Sequence, residues 1–194
     1  MREMRPTVLV DMDGVLADFD GATEEFLRIN HPEIAIVKRA NFYFRDDYPE
    51  EAARAILNNL HASQYFFENL PPMPGAALGW HRLIELGYNP QICTSPLHTN
   101  EWCREEKLNW LERNLGKTAA KSALITSDKD ACDGIALIDD RPDIKDSDQA
   151  SWQHVVFDRS YNRHIDTPFR LHGWFDKNLG RILQECAEQY RLAD

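Results

Sequence analysis

Short apolar runs alternate along the chain with longer stretches in which apolar residues recur every three or four positions. The short runs predict five β-strands, at residues 8–10, 89–94, 122–126, 135–138 and 154–157. The longer stretches predict helices at residues 18–29, 49–62, 76–86, 101–115 and 174–190. In the last helix, Phe175, Leu179 and Ile182 are expected to face the core. Strands that alternate with helices indicate an α/β fold, a Rossmannoid parallel sheet with helices on both faces.

Residues 18–74 interrupt this alternation, because two predicted helices follow the first strand before the second strand begins. A run of Pro71, Pro72, Pro74 and Gly75 marks a linker at the end of this stretch. We therefore interpret residues 18–74 as a small, mainly helical insertion, which we call the cap. Residues 1–17 and 75–194 then form the core domain that contains the sheet.

Composition and charge restrict the classes of function that fit the chain. Its net charge of −10 excludes binding to a nucleic-acid polymer through a basic face, although a metal and a few local cations can still hold a small anion. No stretch approaches the roughly 20 apolar residues that a membrane span needs. Only ten residues precede Asp11, which are too few for a signal peptide before a core strand. The four cysteines lack zinc-like spacing, which is typical of reduced thiols in a cytoplasmic protein.

The first predicted strand ends at two carboxylates, Asp11 and Asp13, and Gly14 follows directly. Carboxylates this close repel each other unless they share a cation or a proton. The pair therefore indicates a metal site at the end of the strand. The alternative is a solvated acidic turn, and only the other segments of the chain can distinguish the two.

Three other predicted strands are also followed by polar residues. Thr94 and Ser95 follow the second strand, Lys129 follows the third, and Asp139 and Asp140 follow the fourth. Taken singly, Thr94 and Ser95 would be a cap or a turn and Lys129 a surface charge, whereas a second acidic pair at a strand end costs stability unless its charge is compensated. Because the carboxyl ends of parallel strands meet at one edge of a sheet, we expect all of them to lie close together. Carboxylate oxygens with open positions suit Mg²⁺, usually shared with a substrate phosphate.

Four segments resemble the motifs of the haloacid dehalogenase superfamily of phosphohydrolases: DMDGVLADFD, ICTSP, the lysine of SDKD, and IDDRPDI. The residues of these motifs are most similar to those of the 5′(3′)-deoxyribonucleotidases. The resemblance extends outside the motifs, to NFYF at 41–44, FFE at 66–68, WQHVVF at 152–157 and LHGW at 171–174. It therefore covers nearly the whole chain.

This resemblance implies a haloacid dehalogenase-like core with a cap that determines the substrate. The implied reaction is Mg²⁺-dependent hydrolysis of deoxyribonucleoside 5′-monophosphates through an aspartyl-phosphate, and whether 3′-monophosphates also react stays open. Asp11 would be the nucleophile, and Asp13 would be the general acid and base. Mg²⁺ would lie on Asp11, the main-chain carbonyl of Asp13, and Asp140, with Asp139 in support.

The resemblance also assigns residues to the substrate. Thr94, Ser95 and Lys129 would bind the phosphate. His98 stands where relatives carry a lysine that helps to bind phosphate, and this difference implies weaker or more pH-dependent phosphate binding unless a group such as Arg45 compensates. Relatives in this family are often homodimers.

A nucleobase pocket in the cap is implied by the aromatic residues that match family positions, namely Phe19, Phe42, Tyr43 and Phe44. Arg141 would either contact the substrate or hold Asp140 in place. Two other functions stay open at this point. One is hydrolysis of another small phosphomonoester, such as a sugar phosphate, and the other is a nucleotide-binding module without catalysis.

Overall fold

The computed structural model describes residues 5–193, which form a six-stranded sheet flanked by helices. Its strands are β1 (Thr7–Val10), β2 (Asn89–Thr94), β3 (Leu124–Ile125), β4 (Ala136–Asp139), β5 (Gln153–Phe157) and β6 (Arg170–Leu171). They lie in the order β3–β2–β1–β4–β5–β6, and every neighbouring pair is parallel. The predicted α/β class with a parallel sheet is therefore confirmed. The sixth strand was not predicted, because two residues are too few to produce a recognisable apolar run.

The central strand β1 is buried on both faces, which explains its uninterrupted apolar sequence. Val8 and Val10 pack into the large cluster that also contains the buried side chains of the surrounding helices. Leu9 points to the opposite face, where it packs with Ile144 and Trp152 from the segment between β4 and β5. Because its neighbours β2 and β4 run parallel to it, the ends of all three strands open at the same edge.

In the described part of the chain, five helices correspond to the predicted ones with ends shifted by up to five residues, and a short helix at Lys117–Lys121 was not predicted. The α-helices are α1 (Phe19–Asn30), α2 (Glu51–His61), α3 (Ala76–Glu85), α4 (Cys103–Leu115), α5 (Lys117–Lys121) and α6 (Leu179–Ala193). Short 3-10 helices lie at Phe44–Asp47 and Ser160–Asn162. Within residues 5–193, no helix combines the length and the apolar character that crossing a membrane requires.

The start of the last helix was predicted five residues too early. The Asp176 carboxylate accepts hydrogen bonds from the backbone N–H groups of His172 and Asn178, and this turn delays the helix until Leu179. Leu179 and Ile182 are fully buried, as predicted. The prediction was wrong for Phe175, whose side chain is 68% exposed because it lies in the turn and not on the apolar face of the helix.

The segment between β1 and α3 contains α1, a 3-10 helix and α2, and it has an apolar cluster of its own. That cluster consists of Leu27, Phe44, Tyr48, Ala53 and Leu57. Two backbone hydrogen bonds join the ends of the segment, from Asp18 N to Pro71 O (2.7 Å) and from Met73 N to Leu16 O (2.8 Å). The division into a core and a cap at residues 18–74 stays a prediction.

Candidate active site

The polar residues that follow four strands come together at the carboxyl edge of the sheet. Asp11 follows β1, Thr94 ends β2, Asp139 ends β4, and Asp140 is the next residue. Lys129, from the loop after β3, reaches the same point. Carboxylate oxygens of Asp11, Asp139 and Asp140 lie within 4.8 Å of one another, and all three residues are buried. The proximity expected from parallel strand ends is therefore present.

Lys129 is the cation that this cluster shares. Its Nζ donates hydrogen bonds to Asp11 Oδ1 at 2.8 Å and to Asp139 Oδ2 at 2.6 Å. The Trp152 indole N–H donates to the Lys129 carbonyl oxygen at 3.0 Å and so fixes the loop. Burial opposes the charged form of Lys129, but the neighbouring Asp11 and Asp139 outweigh it and raise the pKa of the lysine. Lys129 therefore stays charged.

The two carboxylates after β4 have different partners. Asp139 Oδ1 accepts the backbone N–H of Arg141 at 2.8 Å, and Oδ2 accepts Lys129, so Asp139 is fully engaged by the protein. Asp140 accepts a hydrogen bond from the Tyr161 hydroxyl through Oδ2. Burial, followed by the repulsion of Asp139 and Asp11, raises the pKa of Asp140 well above its ordinary value. Beyond the effect of burial, three carboxylates therefore concentrate negative charge at this point.

This surplus of negative charge fits a divalent cation. Among the residues that the structure describes, Asp11 and Asp139 share one lysine, and Asp11 and Asp140 each keep a carboxylate oxygen that accepts no hydrogen bond. An all-oxygen donor set of this kind suits a hard cation such as Mg²⁺. Gly14 keeps the space open, because a Cβ atom there would overlap the Asp140 carboxylate, and its positive φ of 75° also favours glycine.

Asp13 is held by a lysine, Lys107, that was not predicted from the sequence. Lys107 on α4 is fully buried, and its Nζ donates to Asp13 Oδ2 (2.7 Å), Thr94 Oγ1 (3.0 Å) and Ser95 O (2.7 Å). The other oxygen, Asp13 Oδ1, is buried and has no hydrogen-bond partner within the described residues. Burial raises the pKa of Asp13 despite the opposing effect of Lys107. A signal for Lys107 existed, because it lies in a helical stripe with Cys103, Trp110 and Leu111.

A cavity of about 610 Å³ extends from these strand ends to the inner side of the segment between β1 and α3. Its volume is in the usual range for a small-molecule site. All of the predicted pocket aromatics line it, namely Phe19, Phe42, Tyr43 and Phe44, as do Arg45 and Arg141. His98 does not line the cavity; its side chain is exposed, and the neighbouring Thr99 takes part in the wall instead.

The loop that carries Phe42 is organised by Arg39, another residue that was not predicted. The Arg39 guanidinium is buried; it donates to the carboxylates of Asp20 and Asp47 and to the carbonyl oxygens of residues 41 and 42. It also lies 4.3 Å from the centre of the Phe44 ring. One cation thus fixes the backbone and an aromatic ring on this side of the cavity.

Arg141 joins the two sides of the cavity. Its Nη2 donates to the Tyr43 hydroxyl at 3.2 Å, and its guanidinium lies 5.1 Å from the centre of the Phe42 ring. The side chain makes no hydrogen bond to Asp140, and only the Arg141 backbone N–H reaches a carboxylate, that of Asp139. Of the two roles considered for Arg141, the structure supplies no side-chain contact for the one that holds Asp140.

His61, the last residue of α2, also lines the cavity and was not predicted. Its ring lies 4.6 Å from that of Phe19, and its Nε2 is 3.1 Å from the Thr23 hydroxyl. Burial, with a smaller effect from Arg39, lowers the pKa of His61 to about 3. The imidazole is therefore neutral at physiological pH.

Comparison with known proteins gives matches over most of the chain. A family model described as 5′ nucleotidase, deoxy (pyrimidine), cytosolic type C protein matches residues 5–184. A protein of Bordetella pertussis, whose name assigns it provisionally to the 5′(3′)-deoxyribonucleotidases, is 40% identical over 80% of this chain and 85% of its own length. The human protein named 5′(3′)-deoxyribonucleotidase, cytosolic type, is 36% identical over 87% of this chain and 89% of its own length.

Among solved structures, a HAD-superfamily hydrolase from Geobacter sulfurreducens aligns with a TM-score of 0.52. The alignment covers 92% of this chain and 96% of that one, at 12% sequence identity. At this identity the likeness supports the fold alone.

The lowered pKa of His61 predicts a pH-dependent stability. Its value of about 3 in the folded protein lies below the value of about 6.5 in an unfolded chain, so protonation favours unfolding as the pH falls below about 6.5. Urea titrations measure the free energy of unfolding at each pH. Between pH 7.5 and pH 5, this free energy should fall by about 1–2 kcal/mol more for wild type than for His61→Gln. A difference between the two proteins that does not change with pH would contradict this assignment.

Proposed function

The chain belongs to the family of 5′ nucleotidase, deoxy (pyrimidine), cytosolic type C proteins, and we propose that it hydrolyses deoxyribonucleoside monophosphates with Mg²⁺ as cofactor. The observation that carries this proposal is one cavity with two unlike ends. One end holds buried carboxylates with Lys129 and Thr94, and the other end is aromatic. The first suits a phosphate and a metal, and the second suits a nucleobase.

Asp11 is the proposed nucleophile. Lys129 holds Asp11 Oδ1 and so fixes the orientation of the carboxylate, while the other oxygen accepts no hydrogen bond from the described part of the chain. That oxygen attacks phosphorus, the bond from phosphorus to the nucleoside oxygen breaks, and an aspartyl-phosphate forms. Water then attacks the same phosphorus, which releases inorganic phosphate and restores the Asp11 carboxylate.

Asp13 is the proposed general acid and base, and its two oxygens have separate tasks. Oδ2 accepts Lys107, whereas the buried Oδ1 has no partner within residues 5–193 and is free to carry a proton. In the first step this proton passes to the leaving nucleoside oxygen. In the second step Oδ1 takes a proton from the attacking water.

Thr94, Ser95 and Lys129 are proposed to bind the phosphate. The Thr94 hydroxyl oxygen accepts a hydrogen bond from Lys107, which leaves the hydroxyl proton available for a phosphate oxygen. When bound, Mg²⁺ supplies positive charge that offsets the charge on the transferring phosphoryl group. Its proposed ligands are Asp11, Asp140 and the main-chain carbonyl of Asp13. Asp139 is proposed to support this site, held in place by its hydrogen bonds from Lys129 and Arg141.

The nucleoside is proposed to lie against the aromatic end of the cavity. Phe19, Phe42 and Tyr43 are available for stacking, which is worth about 1–3 kcal/mol per base. An apolar surface near the sugar would leave a ribose 2′-hydroxyl without a partner and so favour deoxyribose. His98 lies outside the cavity wall, so we propose no contact between His98 and the substrate.

Residues 18–74 are proposed to act as the cap that selects the substrate. A cytoplasmic location is proposed because four free thiols suit a reducing compartment. A homodimer is proposed as the assembly, which size-exclusion chromatography with light scattering tests directly.

A panel of phosphomonoesters, assayed with and without Mg²⁺, tests the proposed function. Deoxyribonucleoside 5′-monophosphates such as dUMP should be the best substrates, and turnover should require the metal. Asp11→Asn should remove turnover while the melting temperature shows a folded protein. A sugar phosphate as best substrate would refute the nucleotidase proposal, and binding of dUMP without phosphate release would indicate a binding module.

Lys107→Met tests whether Lys107 positions Asp13. The variant should lower kcat/KM for dUMP by about 100-fold, the scale of general acid catalysis. Its effect on p-nitrophenyl phosphate should be less than about tenfold, because nitrophenolate leaves without a proton. Thermal melting should first confirm that the variant is folded at the assay temperature. Equal losses on the two substrates would indicate a general structural role for Lys107.

A further inference from the structure

Among residues 5–193, His61 is the one histidine that lines the cavity. Its ring is held by contacts on several sides. It packs 4.6 Å from the Phe19 ring and 5.1 Å from the Phe66 ring, measured between centroids. The carbonyl oxygen of His61 accepts the Asn100 side-chain amide at 2.9 Å, which anchors the end of α2. The orientation of its two ring nitrogens is therefore set before any ligand arrives.

The Thr23 hydroxyl determines which nitrogen carries the proton. Thr23 is fully buried, and its single hydroxyl proton is donated to the Phe19 carbonyl oxygen at 2.9 Å. The contact between Thr23 Oγ1 and His61 Nε2, at 3.1 Å, then requires that Nε2 donate. In a neutral imidazole the other nitrogen, Nδ1, lacks a proton and accepts hydrogen bonds.

His61 Nδ1 has no hydrogen-bond partner among the described residues, and His61 lines the cavity with its ring packed on Phe19. We propose that His61 is a specificity-determining residue whose Nδ1 accepts a hydrogen bond from an N–H group on the edge of the substrate base. This inference rests on the nucleotidase function proposed above and adds a chemical criterion for the base.

The criterion is the presence of a donor on the base. Uracil and thymine present an imide N–H, and cytosine presents an amino group. A base whose edge N–H groups are methylated leaves the His61 acceptor unpaired next to apolar rings, which lowers affinity. The phosphate end of the cavity, around Asp11 and Lys129, is unaffected by this choice.

Kinetics with matched nucleotides test the proposal. For wild type, kcat/KM should be about tenfold higher for dUMP than for N3-methyl-dUMP, and higher for dCMP than for N4,N4-dimethyl-dCMP. In His61→Phe, which keeps an aromatic ring but has no acceptor, each ratio should fall to about twofold or less. His61→Gln retains an acceptor oxygen and should keep part of the discrimination. His81→Phe, a change at an exposed histidine on α3, is the matched control and should keep the wild-type ratios.

Ratios that are the same in wild type and His61→Phe would overturn the proposal, as would a wild type that does not discriminate. Failure of the proposed function looks different, because wild type would then hydrolyse none of these nucleotides. Nitrogen NMR of histidine-labelled wild type tests the tautomer without any variant. The proposal requires a proton on Nε2 of His61 and a shift of the Nδ1 resonance when deoxyuridine is added, and a proton on Nδ1 would overturn it.

Discussion

The hydrogen bonds of Lys129 to Asp11 and Asp139 are the interaction on which the rest of the site depends. Burying a carboxylate without a partner costs several kcal/mol, and four aspartates meet at this edge of the sheet. Lys129 offsets part of that charge in the centre of the cluster, and Lys107 offsets another part at Asp13. A divalent cation bound next to Asp140 would offset the negative charge that the two lysines leave.

The need to compensate buried charge also gives different partners to residues that look alike in the sequence. Asp11 and Asp13 differ by two positions, yet Asp11 bonds to Lys129 and Asp13 bonds to Lys107. At Asp11 and at Asp13 a lysine engages one carboxylate oxygen, and the other oxygen accepts no hydrogen bond from residues 5–193. The proposed attacking oxygen and the proposed proton-carrying oxygen can therefore coexist in one small site. Gly14 is part of this arrangement, because any side chain there would displace Asp140.

The sequence was sufficient for five of the six strands in the described part of the chain and for the polar residues that follow them. Asp11, Thr94, Lys129 and Asp140 could be placed together because parallel strands end at a common edge, whatever the details of packing. The edge strand β6 was missed because it has two residues, and Phe175 was misplaced because a side-chain carboxylate, Asp176, delays the last helix.

Residues that reach the cavity from helices and loops were harder to predict. Lys107 projects from a helix face that otherwise packs into the core, and its partners are 12 to 94 positions away. Tyr161 follows β5 with no local pattern that distinguishes it from a structural tyrosine. His61 and Arg39 act through contacts between α1, α2 and the loop at residues 39–47, which depend on tertiary packing. His98 was expected at the phosphate because of its position in a motif, but its side chain is exposed and does not line the cavity.

In the proposed mechanism a carboxylate oriented by Lys129 attacks phosphorus before water does. The stereochemistry at phosphorus distinguishes this two-step reaction from direct attack by water. A deoxyuridine 5′-phosphorothioate made chiral by oxygen-isotope labelling would be hydrolysed in water of a third oxygen isotope, and the configuration of the released thiophosphate determined. Two successive in-line displacements, first by Asp11 and then by water, predict retention of configuration. Inversion would mean a single displacement by water and would refute an aspartyl-phosphate intermediate.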